Sequence, residues 1–259
     1  LWHRLRPAGA LSALPSGERR QLLHELLQVI LGSGEMYAWT GEQEKVLLGT
    51  LLSVNLAEEL DDAPALVMLY AVMGFLGAVL GLPALRERYL AMAEARLGGL
   101  RDAKAELELH RITAALHLMT GEWGPARLRY DKAMVLARTL GNSPLYLFCL
   151  LQRATVAYWQ AEYAAAEADA TALLGEAQRD GFPQYEVWAL GTLGSVLLRR
   201  GAWAQARRQL DAAHALAQLD QAKTARIFVA GQRAWVALQQ GERSGGHGRP
   251  DALQYTSNL

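Results

Sequence analysis

A short pattern of glycine, an aromatic residue and alanine recurs with a fixed period, and it constrains the possible folds of the chain more than any other feature. Residues 121–126 read Gly-Glu-Trp-Gly-Pro-Ala, residues 161–166 read Ala-Glu-Tyr-Ala-Ala-Ala, and residues 201–206 read Gly-Ala-Trp-Ala-Gln-Ala. Gly81 and Gly241 extend the register in both directions. A fixed period of this length is typical of repeat arrays, in which each unit packs against its neighbours.

The residues after each turn predict a helix. Apolar residues continue at spacings of three and four, as at Trp123, Ala126, Tyr130, Ala133 and Ala137. This spacing places them on one helical face, and alanines on that face allow a second helix to approach closely. The residues that we expect in the core of the repeats are Trp123, Ala126, Tyr163, Ala166, Trp203 and Ala206.

The residue seven positions before each turn is always small, which indicates another helix upstream of the turn that packs closely on the helix after it. We call the helix before the turn the first helix of a pair and the helix after the turn the second helix. These residues are Gly74, Ala114, Ala154, Gly194 and Ala234. Proline closely follows a glycine or aspartate within residues 61–64, 141–144 and 181–183, as expected between successive helix pairs. The predicted helices lie near residues 18–31, 42–60, 65–80, 84–97, 102–120, 122–140, 144–160, 162–179, 184–200, 202–219 and 223–240.

The sequence therefore predicts an all-α fold, an α-α superhelix (solenoid) of antiparallel helix pairs with a 40-residue repeat. The array should span residues 18–241, with the best repeats in 102–240. We interpret residues 1–17 as an irregular segment at the end of an upstream region, and residues 242–259 as a disordered tail. Residues 32–34, Gly-Ser-Gly, are expected to interrupt the first unit.

Charge and hydropathy argue against two classes of function. The chain has 26 basic and 26 acidic residues, and it lacks the basic excess that nucleic-acid binding usually requires. Residues 63–85 carry no charge, but Pro64 and the break at residues 81–83 leave about 16 helical residues, or roughly 24 Å, too short for a membrane span. We expect a buried repeat helix there. The single cysteine, Cys149, is interpreted as a small buried residue of a cytoplasmic protein.

No residue pattern predicts a catalytic site, a cofactor or a metal ion. The chain has no Gly-Lys pair for a phosphate-binding loop, and residues 24–28 begin like a zinc-protease helix but end in Gln28 rather than histidine. His110 and His117 would lie about 10.5 Å apart along a helix, too far to bind one metal ion. The acidic run at residues 58–62 lacks a further carboxylate, and we interpret it as a solvated helix end.

The small residue followed seven positions later by Gly-x-aromatic-x-x-Ala resembles the tetratricopeptide repeat, best over residues 102–240 and less well over 65–100. The period of this chain is longer than the period of about 34 residues that is typical of that family. The residues around Trp123, Met134 and His24 resemble the C-terminal arrays of bacterial multidomain signalling ATPases, some with a nucleotidyl cyclase or protein kinase domain, and of LuxR-type ATP-dependent activators. This resemblance implies a non-catalytic sensor or scaffold region in signal transduction, whose catalytic domains would lie upstream.

The resemblance also implies a concave surface lined by the first helix of each pair. The residues that it places there are Arg111, Phe148, Leu151, Tyr158, Trp159, Trp188, Arg199 and Trp235. Two interpretations of these aromatic residues remain open, an apolar groove for a peptide or packing between adjacent units. We expect a protein or peptide partner, or another domain of the same polypeptide. The alternative to the signalling-ATPase setting is a free-standing peptide-binding adaptor.

Overall fold

The computed structural model describes residues 16–40, 42–219 and 223–239, and these residues form eleven α-helices and no strand. The helices are α1 (Ser16–Thr40), α2 (Gln43–Leu60), α3 (Ala63–Val79), α4 (Pro83–Gly98), α5 (Ala103–Met119), α6 (Trp123–Thr139), α7 (Ser143–Trp159), α8 (Tyr163–Asp180), α9 (Pro183–Arg199), α10 (Trp203–Leu219) and α11 (Lys223–Gln239). The prediction of an all-α helical repeat fold is confirmed. From α2 onward every helix begins and ends within two residues of its predicted bounds.

Over most of the array the turns recur at half of the period that is visible in the sequence, because each repeat contains two helices. At each of these turns one residue adopts the left-handed conformation, with φ between 51° and 76°. The residues are Asp61, Gly81, Gly121, Gly141, Ala161, Gly181 and Gly201. Glycine adopts this conformation at no steric cost, whereas the Cβ atoms of Asp61 and Ala161 are strained in it.

Local hydrogen bonds end one helix and begin the next. At the end of α6 the N–H of Asn142 donates to the carbonyl oxygen of Ala137 at 2.9 Å, which satisfies one of the last carbonyls of the helix. The side chain of Asn142 accepts from the N–H of Leu145 at 3.1 Å and caps the start of α7. Asp62 and Asp102 cap α3 and α5 in the same way. These short turns fix the spacing of the helices.

The first helix differs from its prediction. It runs from Ser16 to Thr40 without a break at residues 32–34. The hydroxyl of Ser33 donates to the carbonyl oxygen of Val29 at 2.7 Å, a bond that is compatible with a continuous helix. Glycine in a helix costs only about 1 kcal/mol relative to alanine, so two glycines weaken this segment without ending it. Residues 1–15 and 240–259, which include most of the predicted N-terminal segment and the predicted tail, lie outside the described residues.

The chain divides into two compact units, one up to Pro125 and one from Ala126. In the first unit, α3 packs against α2, α4 and α5. A methyl group added at Gly77 of α3 would lie 2.7 Å from the backbone nitrogen of Arg86, so α4 approaches α3 at backbone distance. The apolar stretch that follows Pro64 thus forms the buried centre of this unit. None of the helices that the structure describes is both long and apolar enough to cross a membrane.

In the second unit, alanines of the second helices are completely buried against their neighbours. They are Ala126, Ala133, Ala137, Ala166, Ala170, Ala177, Ala206, Ala213 and Ala217. The first helices supply small residues in return: a methyl group added at Gly194 of α9 would lie 2.5 Å from Cγ of Leu210 in α10. Close helix approach, based on small residues from both partners, therefore holds the pairs together.

The aromatic residues at the turns are less buried than predicted. Trp203 retains 36% of its accessible surface, so the prediction that it belongs to the core is wrong. Trp123 and Tyr163 are half-buried. These side chains occupy the first position of a second helix, at the end of a helix pair, where fewer neighbours can cover them. The alanine three residues further along each helix lies deeper in the pair and is fully covered.

Candidate protein-interaction surface

A group of aromatic side chains and one arginine surrounds the turn between α7 and α8. The Tyr158 ring lies at the centre, 5.7 Å from the Trp159 ring in an edge-to-face arrangement and 6.0 Å from the Tyr163 ring. The Nε–H of Arg199, at the end of α9, donates to the Tyr158 hydroxyl at 3.0 Å. We call these four residues, Tyr158, Trp159, Tyr163 and Arg199, the aromatic cluster. It lies wholly within the second unit.

Trp159 is the exposed aromatic ring of the aromatic cluster. It is the last residue of α7 and retains 62% of its accessible surface, whereas Tyr158 and Tyr163 are half-buried. Edge-to-face packing on Tyr158 holds the exposed indole in one orientation. An exposed aromatic side chain that is already oriented loses little conformational entropy on binding, which suits it to anchor a partner.

Arg199 adds a charge to the aromatic cluster. Its guanidinium carbon lies 5.9 Å from the centre of the Tyr158 ring. The hydrogen bond to the Tyr158 hydroxyl, followed by the charge interaction with the same group, raises the pKa of Arg199, so it stays cationic at any physiological pH. Arg199 is otherwise exposed, and the cluster therefore combines a flat apolar surface with a fixed positive charge. An aromatic or aliphatic side chain next to a carboxylate is the ligand chemistry that this arrangement favours.

Other residues from the predicted surface serve to pack one helix on another. The rings of Trp188 in α9 and Phe228 in α11 lie 5.2 Å apart with 33° between their planes. Leu151 is buried and Phe148 is half-buried in α7. For Trp188 the contact favours the interpretation as packing between adjacent first helices over the interpretation as a peptide groove.

Arg111 and Trp235 belong to helices that contribute no residue to the aromatic cluster. Arg111 belongs to α5 in the first unit, where its Nε–H donates to Glu108 at 2.9 Å. Trp235 lies on α11 and retains 52% of its accessible surface. Of the eight predicted surface residues, Tyr158, Trp159 and Arg199 come together in the aromatic cluster.

Sequence reasoning missed a charged network in the second unit. The guanidinium of Arg153 in α7 donates to Asp131 in α6 at 2.8 Å, and to both carboxylate oxygens of Asp169 in α8 at 2.6 Å and 2.9 Å. Burial alone would lower the pKa of Arg153, but the hydrogen bonds and charges of Asp169 and Asp131 outweigh burial and raise it. One signal was available, because an arginine and an aspartate recur two repeat periods later at Arg233 and Asp211.

The residues considered for chemistry have structural partners. In the acidic run, Glu58 accepts from the Tyr70 hydroxyl at 3.1 Å, and Asp61 pairs with Arg96 at 3.0 Å. Cys149 is completely buried in α7. No group of three or more potential metal ligands occurs within the described ranges.

Paired antiparallel helices, glycine turns and interlocking small residues together define a tetratricopeptide-like helical repeat array. Among solved structures, the chain is similar to a signal transduction ATPase with numerous domains (STAND) protein with a tetratricopeptide repeat sensor from Pyrococcus horikoshii. The TM-score is 0.68 with 14% identity, over 85% of this chain and 34% of that protein. The chain thus spans about a third of the length of that protein. At this level of identity, the likeness concerns the fold.

A second solved structure with a similar fold is that of BtubC (BKLC) from P. vanneervenii. The TM-score is 0.54 with 14% identity, and the match covers 85% of both chains. No family model matches the sequence. No curated protein is detectably similar in sequence either.

Proposed function

We propose that this chain is the non-catalytic sensor or scaffold repeat region of a multidomain signalling ATPase, and that it binds a protein segment through the aromatic cluster. The observation that carries the binding role is Trp159, an exposed indole held in place by Tyr158 and accompanied by the Arg199 charge. The signalling setting is supported by the similarity in fold to a protein with a tetratricopeptide repeat sensor and numerous domains.

The proposal that the chain belongs to a multidomain signalling ATPase is tested by sequencing the gene that encodes it. We expect a nucleotide-binding module with a phosphate-binding loop in the coding sequence upstream of Leu1, optionally preceded by a cyclase or kinase domain. An upstream reading frame that encodes neither would contradict the proposal that the chain belongs to a signalling ATPase. The proposed binding through the aromatic cluster would not be affected by that result.

The binding role is tested with tryptophan variants. Trp159→Ala should weaken the affinity for a partner, captured from the source organism and then purified, by at least about tenfold, as is typical of an interface anchor. Trp203→Ala is the matched control, because Trp203 is also a partly exposed tryptophan at a turn but lies outside the aromatic cluster. Equal affinity of both variants and the unaltered chain would contradict a role for the aromatic cluster.

A second candidate is a free-standing peptide-binding adaptor. The observation that favours it is the match to BtubC, which covers 85% of both chains, so an array of similar length is known as a separate chain. The same upstream sequence distinguishes the two candidates, since an adaptor requires no ATPase module in its reading frame.

A further inference from the structure

The last described helix, α11, exposes apolar residues at positions that are buried in the preceding first helix. In α9 the side chains of Val187 and Leu198 are buried, as is Gly194 between them. The residues one repeat period later in α11 are Ile227, Ala234 and Leu238. Ile227 and Leu238 retain 47% and 70% of their accessible surface, and Ala234 is exposed. We call Ile227, Ala234, Trp235 and Leu238 the open face.

The helix that covers these positions in α9 is its own second helix, α10. Gly194 meets the side chain of Leu210, and Leu198 belongs to one apolar cluster with Ala206 and Leu210. Val187 shares another cluster with alanines of α10. Among the described helices, α11 packs against α9 and α10. The open face is therefore the position at which the repeat geometry requires a further second helix.

The sequence that follows α11 does not match a second helix. Position 246 corresponds by the 40-residue period to Ala126, Ala166 and Ala206, which are buried in the earlier repeats, but it is a glycine. It places Pro250 where Leu210 stands in α10. A proline in a helix interior removes a backbone hydrogen bond and costs about 3 kcal/mol, and further glycines at 245 and 248 add to the cost. These residues do not supply the required amphipathic pattern.

The charge of Arg233 beside the open face favours a partner helix that carries a carboxylate. Arg153, two repeat periods before Arg233, binds an aspartate of the preceding second helix and also Asp169 of its own second helix. Arg233 makes the first of these contacts, with Asp211 at 2.8 Å, and its side chain is still 40% exposed. The position that corresponds to Asp169 is Arg249, which would repel Arg233. A helix with a carboxylate at that position would complete the pattern.

The charge of α11 also argues against pairing with a second copy of itself. The helix contains three basic residues, Lys223, Arg226 and Arg233, and no acidic residue. Two copies packed through their open faces would bring like charges together. A helix with net negative charge gains attraction instead. The chain's own α8 has that character, since it carries four acidic residues and one basic residue.

We propose that the open face of α11 is a docking site for an acidic amphipathic helix of a partner protein, which packs antiparallel to α11 as α10 packs on α9. The partner helix presents a carboxylate to Arg233 and, at the next position, alanine or another small residue to Ala234, in the relation that Asp169 and Ala170 have in α8, because Ala170 corresponds to the Leu210 that meets Gly194. Trp235 stands where α9 has the buried Ser195, and its large exposed ring provides the anchor at the edge of the face. This site is separate from the aromatic cluster and does not depend on it.

The test uses the full chain and a labelled synthetic peptide with the sequence of residues 162–180, which contains α8. Fluorescence anisotropy should show saturable binding with a dissociation constant on the order of 10 µM. Ala234→Arg in the chain should abolish it, because a large charged side chain replaces the small contact residue. Ala204→Arg is the matched control, since Ala204 is an exposed helical alanine on α10, and it should bind like the unaltered chain. Replacing the residue that corresponds to Asp169 in the peptide by lysine should weaken binding at least about tenfold.

Each outcome decides the proposal. Because Ala234 is exposed, the Ala234→Arg chain should keep its helix content and melting temperature, which separates lost binding from lost folding. Absence of binding to the unaltered chain at about 1 mM peptide, or equal binding by the Ala234→Arg chain, overturns it. A dimer in sedimentation velocity that Ala234→Arg dissociates also overturns it, because the open face would then be occupied by a second copy.

Discussion

Gly194 of α9 and Leu210 of α10 are in direct contact, and a methyl group added at Gly194 would lie 2.5 Å from Cγ and 2.7 Å from Cδ2 of Leu210. Leu210 is completely buried, so it has little room to move away. We therefore expect Gly194→Ala to lower the free energy of unfolding by about 1–3 kcal/mol, in spite of the better helix propensity of alanine. Urea denaturation monitored by circular dichroism measures the change.

The control for this prediction is Gly175→Ala in α8. Gly175 is also in a helix interior, but it is exposed, and a methyl group there would meet nothing within 4 Å. Its replacement should stabilise the chain by about 0.5–1 kcal/mol through helix propensity alone. If both variants changed stability in the same direction, the close approach of α9 and α10 at Gly194 would be contradicted.

Ala161 has a φ of 59° and occupies the left-handed turn position that Gly121 and Gly201 occupy in the neighbouring repeats. Its Cβ is strained in this conformation by roughly 1–2 kcal/mol. Ala161→Gly should therefore raise the free energy of unfolding by about 0.5–1 kcal/mol, because the relief of strain exceeds the added entropy of the unfolded chain. The reciprocal variant Gly201→Ala should lower it by about 1 kcal/mol. A destabilised Ala161→Gly chain would show that the turn tolerates alanine without strain.

The sequence was sufficient to predict the helical repeat because small residues and turn glycines fix spacing along the chain. Gly194 and Ala206, for example, are placed by the period alone. Spacing does not state how many neighbours cover a residue, and Trp203 was therefore assigned to the core although it lies at the end of a helix pair. Likewise, Arg153 is far in sequence from both Asp131 and Asp169, and only the packing of three helices brings these side chains together.

The candidate site was predictable only in part, for a related reason. Tyr158 and Trp159 were assigned to the surface because the resemblance to the tetratricopeptide repeat places them on the concave side of a first helix. The same resemblance places Trp188 on that surface, yet it packs on Phe228 of the next first helix. The resemblance assigns both tryptophans to the same surface and does not distinguish them. The difference arises from whether a neighbouring side chain reaches the ring, which depends on coordinates.

The turn tryptophan and the buried leucine of α10 should differ in their contributions to stability. Leu210→Ala removes a completely buried side chain and leaves a cavity, so the loss should be about 3–4 kcal/mol. Trp203→Ala should cost at most about 2 kcal/mol, because the ring is 36% exposed and water can fill the space it leaves. Equilibrium unfolding in urea gives both values. A larger loss in the free energy of unfolding for Trp203→Ala than for Leu210→Ala would show that Trp203 contributes to the core, contrary to its exposure.

Tyr70 should make the stability of the chain fall at high pH. Burial, together with the charge of Glu58 and the hydrogen bond to it, raises the pKa of Tyr70 from 10.0 to about 12. Since the folded-state pKa is higher than that of the unfolded chain, the stabilising contribution is present below pH 10 and is lost as the pH rises towards 12. Between about pH 9 and about pH 11.5 this single group should remove about 2 kcal/mol from the free energy of unfolding.

The variant Tyr70→Phe isolates this effect, because phenylalanine keeps the ring but cannot ionise. Other groups titrate in the same range, including Tyr89, whose pKa is raised chiefly by burial, so the informative quantity is the difference between the two chains. Unfolding in urea at both pH values should show the unaltered chain losing about 2 kcal/mol more than Tyr70→Phe. Parallel loss in both chains would mean that the Tyr70 hydroxyl ionises as freely in the folded state as in the unfolded state, contrary to its burial beside Glu58.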